Sequence, residues 1–218
     1  MTVVLADLLS DRESGDGEHE RVLDAALSAF LDFGIRRTSM GEIAKRSAIS
    51  PATLYRRFAG KDDVVWAVGR REARQLILLV DREVDPAAPA EDQVVSMFVA
   101  FLQGLRNNRL LSRLLATEPE VVLPLLTIHG GPALQLGRAY LADFIRRLQE
   151  QGQVRRFDPD PVAEMVARVA LSMALTPQTC IPVDDERAAR DFARQHVAAV
   201  LGVTGSGSSG SRSPSGTP

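Results

Sequence analysis

Apolar residues recur along this chain at spacings of three and four and show no sustained two-residue alternation, so helices are predicted and a sheet is not. Between Glu18 and Phe33, the residues Val22, Leu23, Ala26, Leu27, Phe30 and Phe33 share one face. Glu18 and Glu20 suit the positive end of that helix, and Gly34 is placed to cap its other end. The next elements are shorter. Ser39 and Glu42 have the spacing of a capping box, which starts a helix at Met40 with Ile43 and Ala44 on its apolar face. Ser47-Ala48-Ile49 carries the chain round, and Ser50-Pro51 is a second start signal, a hydroxyl cap with proline at the first helical position. Leu54 and Phe58 anchor that second helix to the core, while Ala52, Thr53, Tyr55, Arg56 and Arg57 are expected to face outward. A longer helix, with Asp62 and Asp63 in its first turn, is predicted to run to about Asp81 and to be the one rigid connection to the C-terminal part of the chain.

Beyond the Pro86–Pro89 break, helices are predicted over Glu91–Arg106, Leu110–Ala116, Pro119–Leu126, Ala133–Gln151, Asp160–Leu175 and about Asp184–Leu201. Ala163, Ala167, Ala170 and Ala174 form a ridge of small side chains that lets another helix come close. Residues 1–17 are acidic and glycine-bearing, and 204–218 are dominated by Gly, Ser, Pro and Thr. Both are expected to lack fixed structure. The expected fold is all-α, with an N-terminal three-helix domain (18–63) fused through a shared helix to a larger helical domain (64–203). A helix, a tight turn and a second helix with a polar, cationic face is the layout of a DNA-reading helix-turn-helix.

Charge sharpens that expectation. The 218-residue chain carries a net charge of −2, which announces no polyanionic partner. From Arg36 to Lys61, however, seven cations stand against Glu42 alone, a local excess of six that includes both lysines of the protein. The single cysteine, Cys180, excludes an internal disulfide, and with neither a membrane span nor a signal peptide in view a cytoplasmic location is expected. His19, His129 and His196 form no metal-ligand spacing, and no nucleophile–base pair is visible. Gly205-x-Gly207-x-x-Gly210 comes after no strand, and His129-Gly130-Gly131 lacks the G-x-S-x-G partner of an esterase. Neither a cofactor nor an enzymatic activity is expected.

Thr38, Ile43, Ala44, Ser50, Thr53, Leu54, Tyr55, Phe58 and Lys61 together resemble the motif block of the TetR family of transcriptional regulators; Ala48 departs from it, standing where glycine is usual. The resemblance implies a repressor that binds a palindromic double-stranded DNA operator as a homodimer and is released by a small-molecule effector. Carried onto this sequence, the DNA-binding residues are Thr38, Ser39, Ser50, Ala52, Thr53, Tyr55, Arg56, Arg57 and Lys61. Thr53, Tyr55 and Arg56 are the candidates for base and phosphate contact, and Lys61, with Thr38 or Ser39, for backbone phosphate. The resemblance also implies a pocket among the helices between Glu91 and Leu126 and the helix Asp160–Leu175. Met97, Phe101, His129 and Met165 are its candidate lining, and the scarcity of charge there favours an apolar or amphipathic effector. For the dimer contact the expectation is Leu134, Leu141 and Leu148 with the alanine ridge. Two other readings stay open on sequence alone: a helical interaction module that keeps the fold without ligand-controlled DNA binding, and a helical enzyme.

Overall fold

The computed structural model describes residues 17–176, 178–182 and 184–203. The expected leader, apart from Gly17, the tail and the Gly205–Gly210 string lie outside the described residues. Among the described residues every regular element is helical: α1 (Gly17–Arg37), α2 (Met40–Ser47), α3 (Pro51–Arg57), α4 (Lys61–Arg82), α5 (Ala90–Asn107), α6 (Arg109–Thr117), α7 (Pro119–Leu126), α8 (Gly131–Glu150) and α9 (Pro159–Leu175). The last helix begins as α10 (Glu186–Phe192) and passes through a π-helical stretch, Ala193–Val197, into Ala198–Val200. Two predicted starts are where the caps are: Ser39 accepts from the Glu42 amide and Ser50 from that of Thr53, while α9 begins one residue before the expected Asp160, with Asp158 as a cap accepting from the Asp160 amide. In α1, Gly34 breaks the helical dihedrals with φ 81° and ψ 169°, in keeping with its capping position.

The apolar faces assemble into two main cores. Around Phe30, Ile43 and Leu54, all at 1% exposure or less, pack Val22, Phe58 and the Val64 and Val68 of α4. Leu110 and Leu114 of α6 and Val122 of α7 complete this N-terminal core, so its packing extends well past residue 63. His19 lies half-buried with its ring stacked 5.3 Å from that of Phe58. The second core gathers Ile77 and Val80 of α4, Val94 and Met97 of α5, and Phe144, Ile145 and Leu148 of α8. Helix α4 therefore contributes its first half to one core and its second half to the other.

This packing corrects the expected dimer surface. Leu148 is fully buried within the protomer, and Leu141 packs against the second core. Ala163 and Ala167 of the ridge are buried, with the Ala167 methyl facing Gly137 of α8. Small residues on both helices let α8 and α9 approach closely inside one subunit, which is where the ridge's close-packing capacity is used. The apolar residues that α9 does expose are Met165 and Val169, one turn apart at 49% and 54% exposure.

Side-chain bridges tie α4 to its neighbours. Arg71, almost fully buried, donates to Asp24 (2.8 Å) and Glu20 (3.3 Å) of α1. The next residue, Glu72, accepts from Asn108 at 3.4 Å. Burial pushes the Glu72 carboxyl above the usual carboxylate range, against the charge of Arg71 and the Asn108 hydrogen bond, which pull it down. With the folded-state pKa raised, the contribution of Glu72 to stability is full below the unfolded pKa and is lost as pH rises through the folded one. Glu72→Gln, uncharged at every pH, is therefore expected to raise Tm at pH 7.5, with the gain shrinking toward pH 4. Thermal melts at the two pH values check this; a variant less stable at both would contradict it.

Candidate nucleic-acid interface and apolar cavity

The turn between α2 and α3 is held by local bonds. Ala48 caps α2 in the left-handed region (φ 55°, ψ 36°), the one positive-φ residue other than glycine among those described. Its amide and that of Ile49 donate back to Lys45 and Ala44 carbonyls, so the turn keeps its hydrogen bonds with alanine in the strained position. Ala48→Gly should relieve that strain and stabilise the protein by about 0.5–1 kcal/mol, read as a higher urea midpoint with an unchanged slope.

Leu54 at 0% and Phe58 at 5% exposure pin α3 to the core, as its spacing predicts. Ala52, Tyr55 and Arg56 are exposed on its outer face, with Tyr55 at 56%. Thr53 is half-buried and its hydroxyl lies 2.9 Å from that of Ser50, so both hydroxyls serve the helix start. Ser39, also a capping hydroxyl, is exposed.

Three expected contacts are placed differently. Thr38 is 2% exposed and its hydroxyl donates to the carbonyls of Gly34 (2.7 Å) and Ala29 (3.3 Å), which removes it from a phosphate's reach in this structure. Arg57 turns back to Glu18 of α1 at 2.7 Å and does not face outward. The Lys61 ammonium donates to the carbonyls of Ile35 (3.0 Å) and Arg36 (3.3 Å).

The local positive excess is likewise smaller than its sequence count. Arg36 pairs with Glu120 at 2.6 Å, and Arg46 with Asp32 and Glu42 at 2.7 Å each, over the Phe33 ring. The two carboxylate hydrogen bonds raise the pKa of Arg46, so it is a fixed cation that braces α2 on α1. Arg37, Lys45 and Arg56 are the exposed cations of the motif that no carboxylate pairs with among the described residues.

Sequence spacing gave no hint of Glu118. At the junction of α6 and α7 this residue is 8% exposed, and its carboxylate accepts from the Ile35 amide at 2.8 Å and from the Arg36 amide at 3.3 Å. Lys61 holds the carbonyls of the same two residues, so the link between α1 and α2 is gripped by an anion on its amides and a cation on its carbonyls. Arg113 of α6 adds a bond to the Asp32 carbonyl at 3.1 Å.

A cavity of about 530 Å³ lies in the second half of the molecule. Met97, Phe101 and Met165 line it as expected, together with α4 (Ile77, Val80), α8 (Leu134, Phe144) and the last helix. Two expectations are corrected. His129 is outside it, lining instead a surface groove with Trp66 and Ile35; and α6 and α7 contribute nothing to the cavity because their apolar faces are used in the N-terminal core. Met165, Val169 and Val200 line the cavity and are about half exposed, so it reaches the surface between α9 and the last helix.

Fold and site thus define a helix-turn-helix DNA-binding regulator with an all-helical second domain. Residues 22–68 match the family model for bacterial regulatory proteins of the tetR family, and residues 90–197 that for the C-terminal domain of the bacterial tetracyclin repressor. The chain belongs to the TetR family of transcriptional regulators. It is similar to an uncharacterised HTH-type transcriptional regulator of Mycobacterium bovis, 29% identical over 168 residues that cover 77% of this chain and 84% of the relative. UidR of Escherichia coli is 24% identical over 186 residues, 84% of this chain and 91% of that one. The crystal structure of the TetR family repressor AlkX from Dietzia shares the fold with a TM-score of 0.65 at 19% identity, over 84% of this chain and 98% of that one. The family and these relatives are regulators and not enzymes. No helix among the described residues is long and apolar enough to cross a membrane.

Proposed function

We propose that this regulator represses transcription by binding a palindromic operator as a homodimer, and that a small apolar or amphipathic effector in the cavity releases it. The observation that carries the proposal is the course of α4. Val64 and Val68 lie in the core that supports the reading helix, and Ala73, Leu76, Ile77 and Val80 form a wall of the cavity. An occupant of the cavity therefore touches the same rigid rod that positions the motif.

Two copies are needed because a seven-residue reading helix contacts few base edges, and paired half-sites in successive major grooves supply the rest. The dimer contact is a four-helix bundle to which each subunit gives two of its C-terminal helices. Within the reading helix, Arg56 is the base-reading cation and Tyr55 its neighbour on the groove-facing side, while Lys45 and Arg37 hold phosphate. Location in the cytoplasm accords with the role.

Release is a population shift: an effector moves the equilibrium only by its differential affinity for the two states, and a swing from 1:99 to 99:1 takes about 5.5 kcal/mol. The test is a fluorescence titration. Trp66 sits near the start of α4, beside Val121, Leu125 and Pro132, and reports movement of that rod against α7. Cavity binders are titrated while Trp66 emission and release of a labelled operator duplex are monitored together. A saturating binder that leaves operator affinity unchanged would refute effector control. Absence of salt-dependent duplex binding would refute the DNA-binding role itself.

A further inference from the structure

We propose that the cavity selects an uncharged, hydrocarbon-bodied ligand and rejects carboxylates, phosphates and other ionic head groups. The inference rests on the reading of the cavity as an effector site and adds the chemical class of what enters it. Among the described residues, no Asp, Glu, Lys, Arg, Asn, Gln, Ser or Thr lines the cavity. The side chains there with nitrogen or oxygen atoms are those of Tyr140 and His196.

Neither of these serves an anion. The Tyr140 hydroxyl already donates to Asp81 at 3.4 Å, and the phenol is held neutral by burial and by the Asp81 charge beside it. An anionic head group brought up to Tyr140 would meet the field of a carboxylate, which repels a second anion. His196 is exposed and its ring lies tilted on Phe192, 4.9 Å between centroids, so a head group beside it stays open to water.

One cation stands behind the wall. The Arg147 guanidinium stacks 5.2 Å over the Phe144 ring with Nε and one Nη buried and without a hydrogen-bond partner, and its charge reaches Tyr140, but it is not among the cavity's lining residues. At the mouth, Arg168 lies one turn from Met165 on α9 and already pairs with Glu164 at 2.6 Å. Glu164 also draws Arg138 at 4.0 Å, so the rim adjoining the mouth presents one carboxylate shared between two arginines. A charged head group held against this lining would lose its hydration with no charged lining side chain to replace it, whereas an alkyl or alicyclic body gains from every wall. At about 530 Å³ the cavity is in the size range of sites that enclose a drug-sized molecule.

Three probes with one chain length separate charge from size: 1-decanol, decanoate and decylammonium, each added to the full-length protein at pH 7.5 below its aggregation limit. Binding is read by calorimetry and by displacement of a neutral apolar dye. Decanol is expected to bind at least tenfold more tightly than either ion. Filling the cavity with Ala170→Phe is expected to weaken decanol binding at least tenfold, with the fold checked by helical circular dichroism; Leu134→Trp serves the same purpose if that variant does not fold.

Decanoate binding as tightly as decanol would overturn the inference while leaving an effector site in place, and its loss in Arg147→Gln would identify that guanidinium as the anchor. Failure of all three probes to bind, or decanol binding that ignores both filling variants, would also overturn it. Decanol held in the cavity without any effect on operator affinity would uphold the ligand class and defeat the regulatory reading instead.

Discussion

Gly34→Ala is expected to destabilise the protein by about 3 kcal/mol or more. Two costs combine. At φ 81° and ψ 169°, Gly34 occupies a backbone region that is essentially closed to residues with a Cβ, a strain of about 1–3 kcal/mol. A Cβ there would also overlap Glu118 Oε1, and displacing that carboxylate leaves it and two amides buried without partners, at about 1–3 kcal/mol per group. Urea denaturation of Gly34→Ala, Glu118→Ala and the double variant separates the two. Glu118→Ala alone loses the hydrogen bonds without the strain. In the double variant the overlap is gone, so its cost should fall short of the sum by about 1 kcal/mol or more. A Gly34→Ala protein within about 0.5 kcal/mol of wild type, the usual range for surface changes, would show that the link yields freely. Because residues 34–37 lead directly into α2, the same substitution is expected to weaken operator binding.

Arg56→Ala is expected to cost about 1–3 kcal/mol of operator affinity per half-site if the guanidinium pairs with a guanine edge, and roughly twice that in a symmetric dimer. Anisotropy titrations against the operator and a scrambled duplex, at several salt concentrations, give the readout. The loss should fall chiefly on the operator. Lys45→Ala, removing a phosphate contact, should weaken both duplexes alike and flatten the salt dependence. Arg57→Ala is the internal control: with Arg57 held by Glu18, its replacement should lower stability more than it alters sequence preference. Equal losses on both duplexes for Arg56→Ala would remove it from base reading.

The difference between Arg56 and Arg57 shows where sequence reasoning stops. Adjacent arginines on one short helix look equivalent by composition, and only the position of Glu18, on another helix, decides which one is left exposed without a carboxylate partner among the described residues. The same holds for the local charge. Seven cations are counted between Arg36 and Lys61, but Asp32, Glu18 and Glu120, all outside that window, neutralise three of them. Glu118 was legible only as the residue before Pro119. Its partner amides lie more than eighty positions upstream, a distance over which no periodicity or capping rule carries information. His129 was drawn toward the cavity by its place in the chain, and the packing of α6 and α7 on the other core put it beside Trp66.

What the amino-acid sequence determined by itself is the set of helices, the starts at Ser39 and Ser50, the break at Gly34, and the exposed face of Ala52, Tyr55 and Arg56. These depend on contacts within one or two turns, where residue spacing and backbone hydrogen bonding are enough. Tertiary structure alone decided which cations remain free, that Ala163 and Ala167 of the alanine ridge are buried inside the subunit, and that the cavity is walled almost wholly by hydrocarbon. Those are properties of faces meeting across distant parts of the chain. A helix's apolar stripe shows that it must be covered but not by which partner, so burial, charge pairing and cavity lining are settled only when the helices pack.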